Sequence, residues 1–68
     1  MSELSNVIGQ LIRNRRTHRS ITQEALALQC GIDRSYMRRI ERREINLTVE
    51  KLYEIASALE INAKELLP

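Results

Sequence analysis

The stretch Thr22-Gln-Glu-Ala-Leu-Ala-Leu-Gln-Cys-Gly-Ile-Asp-Arg-Ser-Tyr-Met-Arg-Arg-Ile-Glu41 decides the fold. Thr22 is a natural N-cap for a short helix over 23–29, because its hydroxyl can accept a bond from a free N–H of the first turn. Glu24 lies in that turn, where the helix dipole favours negative charge. Leu26, Ala27 and Cys30 have the spacing of an inward face. Gly31 suits the left-handed conformation that ends a helix and turns the chain sharply. Ile32 follows as an apolar pin. Asp33 then stands as cap to a helix from Arg34 to about Arg42, with Tyr36 (in part), Met37 and Ile40 as its buried stripe. The segment at about 22–42 therefore reads as two short helices around a tight turn, the second of them rich in Arg.

The flanks are helical too. Leu4, Val7, Ile8, Leu11 and Ile12 recur at intervals of three and four, which makes one apolar face of a first helix, with Ser2 or Ser5 as its N-cap. Its end, Arg13 to Arg19, is polar and basic, and Thr17 to Ser20 stops it. Ile45-Asn46-Leu47 has no helical period and is expected as a loop. Thr48 starts a fourth helix with Leu52, Ile55, Ala56 and Leu59 inward. Asn62 with Glu65 three residues later has the form of a capping box for a last short helix that Pro68 ends. The expectation is an all-α, compact five-helix domain over residues 1–68, its C-terminal helices at about 48–67 available for dimerisation.

Composition narrows the function. Sixty-eight residues, 43% hydrophobic and 29% charged, suit one small soluble core. No apolar run reaches the roughly 18 residues of a membrane span, and Met1-Ser2-Glu3 does not open like a secretory leader, so a cytoplasmic protein is expected. One Cys (Cys30) and one His (His18) make neither an intrachain disulfide nor a zinc site. His18 has no nucleophile at a useful spacing, and Cys30 reads as a small buried apolar residue. With no Gly-rich phosphate loop either, no enzyme and no cofactor or metal is expected. The net charge of +2 conceals a strong asymmetry. Nine Arg against three acids give residues 13–43 a charge of +6, while two Lys against five Glu give residues 44–68 a charge of −3. Such a dipole on so small a domain suggests one side that faces a polyanion. All the cations of the basic half are Arg, whose planar fork fits phosphates and guanine edges.

Two short helices around a Gly-containing turn, the second basic, have the form of a helix-turn-helix. Gln23-Glu24, Leu26-Ala27, Gly31-Ile32, Ile40-Glu41 and Ile55-Ala56-Ser57-Ala58-Leu59 resemble the phage-repressor and Cro (XRE-type) helix-turn-helix family over nearly the whole chain. More narrowly, Asp33-Arg34-Ser35-Tyr36, Ile40-Glu41-Arg42 and Asn46-Leu47-Thr48 resemble the controller proteins of restriction–modification systems. Those are small dimeric regulators that time nuclease expression relative to the methyltransferase. Ile45 departs from them, since they usually carry a basic residue there. Ser20 also departs, standing where the family usually has Gly.

The resemblance implies a homodimeric transcription regulator bound to an inverted repeat in double-stranded DNA, with RNA polymerase as a further partner where it activates. On that scaffold the recognition helix enters the major groove by its N-terminal part. Arg34, Ser35, Arg38 and Arg39 are then the expected base contacts. Gln23, Tyr36, Arg42, Arg43, Asn46 and Thr48 are the expected phosphate contacts. For Thr48 and Asp33 a plain capping role competes with DNA contact, and for Arg43 a plain solvated charge does. The family also pairs a basic residue at the end of the first helix with a Glu after the recognition helix, here Arg16 and Glu41, as a structural ion pair. Tyr53, Ile61, Leu66 and Leu67 offer apolar surface for the dimer, or else complete the core. Two other classes compete: an antitoxin-like protein whose main partner is a toxin, and an RNA-binding module. Scarce aromatic surface, Tyr36 and Tyr53 alone, disfavours the second.

Overall fold

A computed structural model describes residues 3–68. Four α-helices, α1 (Glu3–His18), α2 (Gln23–Cys30), α3 (Arg34–Glu41) and α4 (Val49–Ala58), are followed by a single 3-10 turn, Ala63–Leu66. The described residues form no strand. Ser2 lies outside them, and Ser5 falls inside α1 rather than at its cap.

The helix starts have local causes. Thr22 Oγ1 accepts from the Ala25 N–H at 3.0 Å, and Thr48 Oγ1 from the Lys51 N–H at 3.1 Å. Asp33 has the extended backbone of an N-cap, but its side chain makes no cap bond. Only its carbonyl joins α3, accepting from the Met37 N–H at 3.1 Å, while the carboxylate stays exposed. The expected fifth α-helix is the 3-10 turn instead. Asn62 Oδ1 accepts from the Lys64 N–H and Glu65 Oε2 accepts from the Asn62 N–H, so the capping box is complete. Leu67, however, is already extended (φ −109°, ψ 144°), which leaves room for i to i+3 bonds and not for a longer ladder.

All four α-helices stop in the same way. Ser20 (φ 58°), Gly31 (67°), Arg43 (65°) and Glu60 (58°) each take a left-handed conformation just past a helix. The next N–H then reaches back five residues: Ile21 to the Arg16 carbonyl, Ile32 to Ala27, Glu44 to Arg39 and Ile61 to Ala56, each at 3.0 Å. This bond satisfies a carbonyl the helix would leave orphaned. In three of the four cases the donor is an Ile that packs onto the core, so the cap also aims an apolar side chain inward.

The core these ends enclose is built on Ile12, Leu26, Met37, Ile40, Ile55, Leu59 and Leu66, all fully buried. Leu66 is thus not an interface residue, as its position beside Leu67 suggested. The 3-10 turn rolls it under α4 and α1, and it completes the core of its own chain. In α1, Ile8 and Ile12 are buried and Leu11 packs at the margin, while Leu4 projects past the core at 52% exposure. At Gly9, α1 passes tightly against the end of α3. A Cβ there would lie 2.5 Å from the Ile40 carbonyl oxygen and 2.9 Å from Arg43 Cγ.

Two substitutions test these contacts. Gly9→Ala should destabilise the domain by about 1–3 kcal/mol in urea denaturation, because backbone must move to admit the methyl group. That loss outweighs the roughly 1 kcal/mol of helix propensity that Ala brings. Ser20→Gly should raise stability by about 1 kcal/mol, since it removes the left-handed strain while the helix-ending bond stays. An unchanged midpoint in either variant contradicts the corresponding argument.

Candidate nucleic-acid interface

Residues of α3 three and four apart divide its surface in two. Met37, Ile40 and Glu41 are buried and Tyr36 half-buried, while Arg34, Ser35, Arg38 and Arg39 are exposed, with Arg42 continuing their row past the helix end. α2 packs on the inner side, so the Arg stripe faces water along its whole length.

What holds this helix is a charged junction beneath its last turn. Glu41 has only 2% of its side chain exposed and its partner Arg16 11%. Arg16 Nε donates to Glu41 Oε2 at 2.6 Å and Nη2 to Oε1 at 2.9 Å, a two-pronged pair. Gln23 Nε2 donates to the same Oε1 at 3.1 Å, and Arg16 Nη1 donates to the Ile21 carbonyl at 2.7 Å. The end of α1, the chain entering α2, the first residue of α2 and the last of α3 thus meet at one ion pair. Among the described residues no buried side-chain polar atom lacks a partner. Burial makes this pair directional, because neither ion can be rehydrated without opening the junction.

Much of the basic half is consumed inside the domain. Arg15 pairs with Glu65 at 3.7 Å. Arg19 Nη1 donates to the Leu59 carbonyl at 2.6 Å and its Nη2 lies 3.5 Å from Glu60, so it neutralises the carbonyl end of α4. The outward positive charge is concentrated on α3 and the turn after it. There Arg34 lies 3.5 Å from Glu24, while Arg39 and Arg42 share Glu44 at 4.0 and 3.1 Å. Arg38 makes no ion pair with the described residues. Arg43 is half-buried, and its Nη1 donates to Gln10 Oε1 at 2.8 Å, which ties it to α1.

The remaining candidates spread around this face. Gln23 borders it, its amide oriented by Glu41 with one N–H left over. Thr48 caps α4 at the far side of an exposed loop that carries Asn46. Ile45 is half-buried against the core, lining a cleft with Leu4, Ile8 and Ile40, so it anchors the loop instead of presenting a side chain outward. His18 is exposed at the end of α1. Half-burial pushes the Cys30 thiol above its ordinary pKa, partly offset by the Lys51 charge. The hydrogen bond to Glu54 raises the Lys51 ammonium. Tyr53 (61% exposed) and Leu67 (44%) are apolar groups in water, and Ile61 is half-buried. Sequence reasoning did not single out Glu24 or Glu44 as partners of the α3 arginines, nor Gln10 as the partner of Arg43. Gln10 and Glu24 are distant in sequence from their partners, whereas Glu44 is only two and five residues from Arg42 and Arg39, brought to them by the turn after α3.

The junction makes a sharp stability prediction. Glu41→Leu alone should cost about 3–5 kcal/mol, because it strands the Arg16 guanidinium. Adding Arg16→Met should recover much of that loss, since the apolar pair fills the same space with no unpaired charge. Denaturation midpoints that simply add across the two substitutions would mean that the two ions are not coupled.

Comparison with known proteins agrees with this architecture. A helix-turn-helix family profile (HTH_3) matches residues 12–66. The restriction–modification controller protein C.AhdI from Aeromonas hydrophila superposes with a TM-score of 0.89 at 36% identity, covering 93% of this chain and 96% of that one. Control protein C.BamHI from Bacillus amyloliquefaciens is 36% identical over 62 residues, 90% of this chain and 76% of its own length. A hypothetical transcription factor from Neisseria meningitidis is 35% identical over 65 residues, and its structure superposes with a TM-score of 0.91. This chain spans 61% of that protein's length. These relatives are regulators and control proteins, not enzymes. The chain belongs to the helix-turn-helix family of DNA-binding transcription regulators.

Proposed function

We propose that this chain is a restriction–modification controller, or a small phage-type repressor, that binds an inverted-repeat operator in double-stranded DNA as a homodimer. The observation that carries the reading is the α3 face: an exposed row of Arg34, Ser35, Arg38, Arg39 and Arg42 on a helix held by a buried ion pair. A rigid helix that offers forked donors is what reading base edges in the major groove requires. Arg34 and Ser35, at its N-terminal end, take base edges, with Arg38 and Arg39 one turn further on. Gln23, with its free N–H, and Tyr36, Arg42, Arg43, Asn46 and Thr48 hold phosphates on either side and set register. Thr48 can do this only with the hydroxyl lone pair or proton that its cap leaves over.

Dimerisation follows from size and from exposed apolar groups. The domain measures 26 × 24 × 21 Å, so one copy cannot span successive major grooves about 34–36 Å apart. Two copies on a two-fold axis reach both. Tyr53, Leu67 and the half-buried Ile61 give the pair an apolar contact that flanks the 3-10 turn. The likeness to controller proteins over most of their length supports the same arrangement.

Selection from a pool of randomised duplexes at about 0.15 M salt tests this. The expected product is an inverted repeat with half-site centres about one helical turn apart. Absence of any enriched sequence overturns the proposal. On the selected site Arg34→Ala should cost about 1–3 kcal/mol and relax preference at one position of each half-site. An equal loss on specific and random duplexes would place Arg34 on phosphate.

A further inference from the structure

The acidic residue Glu44 stands immediately after a run of cations, Arg42-Arg43, on the most basic face of the domain. It directly follows the left-handed Arg43, and its own N–H is fixed to the Arg39 carbonyl at 3.0 Å. That bond turns the chain back over the end of α3. The side chain then lies against two guanidiniums of the exposed stripe, with Arg42 Nε 3.1 Å from Oε2 and Arg39 Nε 4.0 Å from Oε1. All three side chains are about half exposed, so the group is open to solvent and to a ligand. Each carboxylate oxygen is given to a different arginine, which makes Glu44 a bridge between them.

We propose that Glu44 is a positioning residue that sets the selectivity of this face by restraining Arg39 and Arg42. The inference rests on the reading of α3 as the DNA-facing helix. Two effects act in the same direction. A phosphate that approaches either arginine must displace the carboxylate and also meets its negative charge, so indiscriminate backbone binding is weakened. Meanwhile both Nε atoms are turned inward to Glu44, so the guanidinium forks keep their remaining donors outward with less rotamer freedom to lose on docking. The cap bond makes this possible because it fixes the backbone of Glu44 to the helix that carries Arg39 and is capped by Arg42. No other acid is paired with two cations among the ion pairs of the described residues.

The test compares Glu44→Gln with the native chain on a random duplex over a range of salt, and on the operator that selection yields. Glu44→Gln should bind the random duplex about two- to fivefold more tightly, the scale of an exposed ion pair. Its salt dependence should steepen by about one phosphate's worth for each arginine released. The ratio of operator to random affinity should fall. In an Arg39→Gln/Arg42→Gln background the same substitution should have no such effect. Glu54→Gln, which removes equal charge from α4, controls for the change in net charge. Unchanged random-duplex affinity and salt slope overturn the proposal, as does an effect that persists without the two arginines or is matched by Glu54→Gln. Because this readout uses random DNA, it stands apart from the operator selection: a chain that selects no site still reports on the Glu44 restraint.

Discussion

The domain depends on one buried carboxylate. Glu41 is the last residue of α3, yet the groups that satisfy it come from the end of α1 and the start of α2. Hydrophobic contact between Met37, Ile40 and the rest of the core fixes how deeply α3 sits, but contact of that kind is tolerant of rotation and sliding. Four charge-assisted or polar bonds at the Arg16–Glu41 junction are not. They set the azimuth of α3, and so decide that the arginine row, rather than Tyr36 or Met37, faces outward. The Ile21 carbonyl joins the same network, so the chain between α1 and α2 is positioned by it as well.

Electrostatics divides the arginines into two populations. Three at or just past the end of α1 act within the fold: Arg16 under α3, Arg19 at the carbonyl end of α4, Arg15 on Glu65, while Arg13 is exposed. Of those on α3 and the following turn, Arg34, Arg39 and Arg42 point outward against exposed acids, while the half-buried Arg43 is tied to Gln10 of α1. A net charge of +2 therefore understates the field at the α3 face and overstates what α1 adds to it. The acids of the C-terminal half are shared out: Glu60 and Glu65 meet Arg19 and Arg15, Glu44 meets Arg39 and Arg42, and Glu54 meets Lys51.

What could be read from the sequence was chiefly local. Thr22, Thr48 and the Asn62–Glu65 box act within three residues of themselves, and Gly31 announces its own backbone, so these helix ends were legible from residue type. Periodicity placed Ile8, Ile12, Leu26, Met37, Ile40, Ile55 and Leu59 inward. The other three helix ends were harder, because Ser20, Arg43 and Glu60 adopt the left-handed conformation without the residue that normally signals it. Only the family pattern raised the question at Ser20. Leu66 and Leu67 show the limit of composition: two adjacent leucines, one fully buried and one in water, separated by the hand of a single 3-10 turn. The role of Gly9 depends on the approach of α3, and no local pattern carries that.

The shared ending of the four helices has a kinetic consequence. Each reversal is made by a left-handed residue and a bond that reaches back only five positions, so little chain must be closed before the next helix can dock. Loop-closure entropy grows with the logarithm of loop length, and domains whose contacts are close in sequence fold in microseconds to milliseconds. Here the turns can form before the core does, and they bring Ile21, Ile32 and Ile61 to the place where it will condense. The junction at Glu41 is different: Arg16 lies 25 residues away in sequence. The helix reversals are thus set by local backbone geometry across five residues, and the seating of α3 by an ion pair across 25.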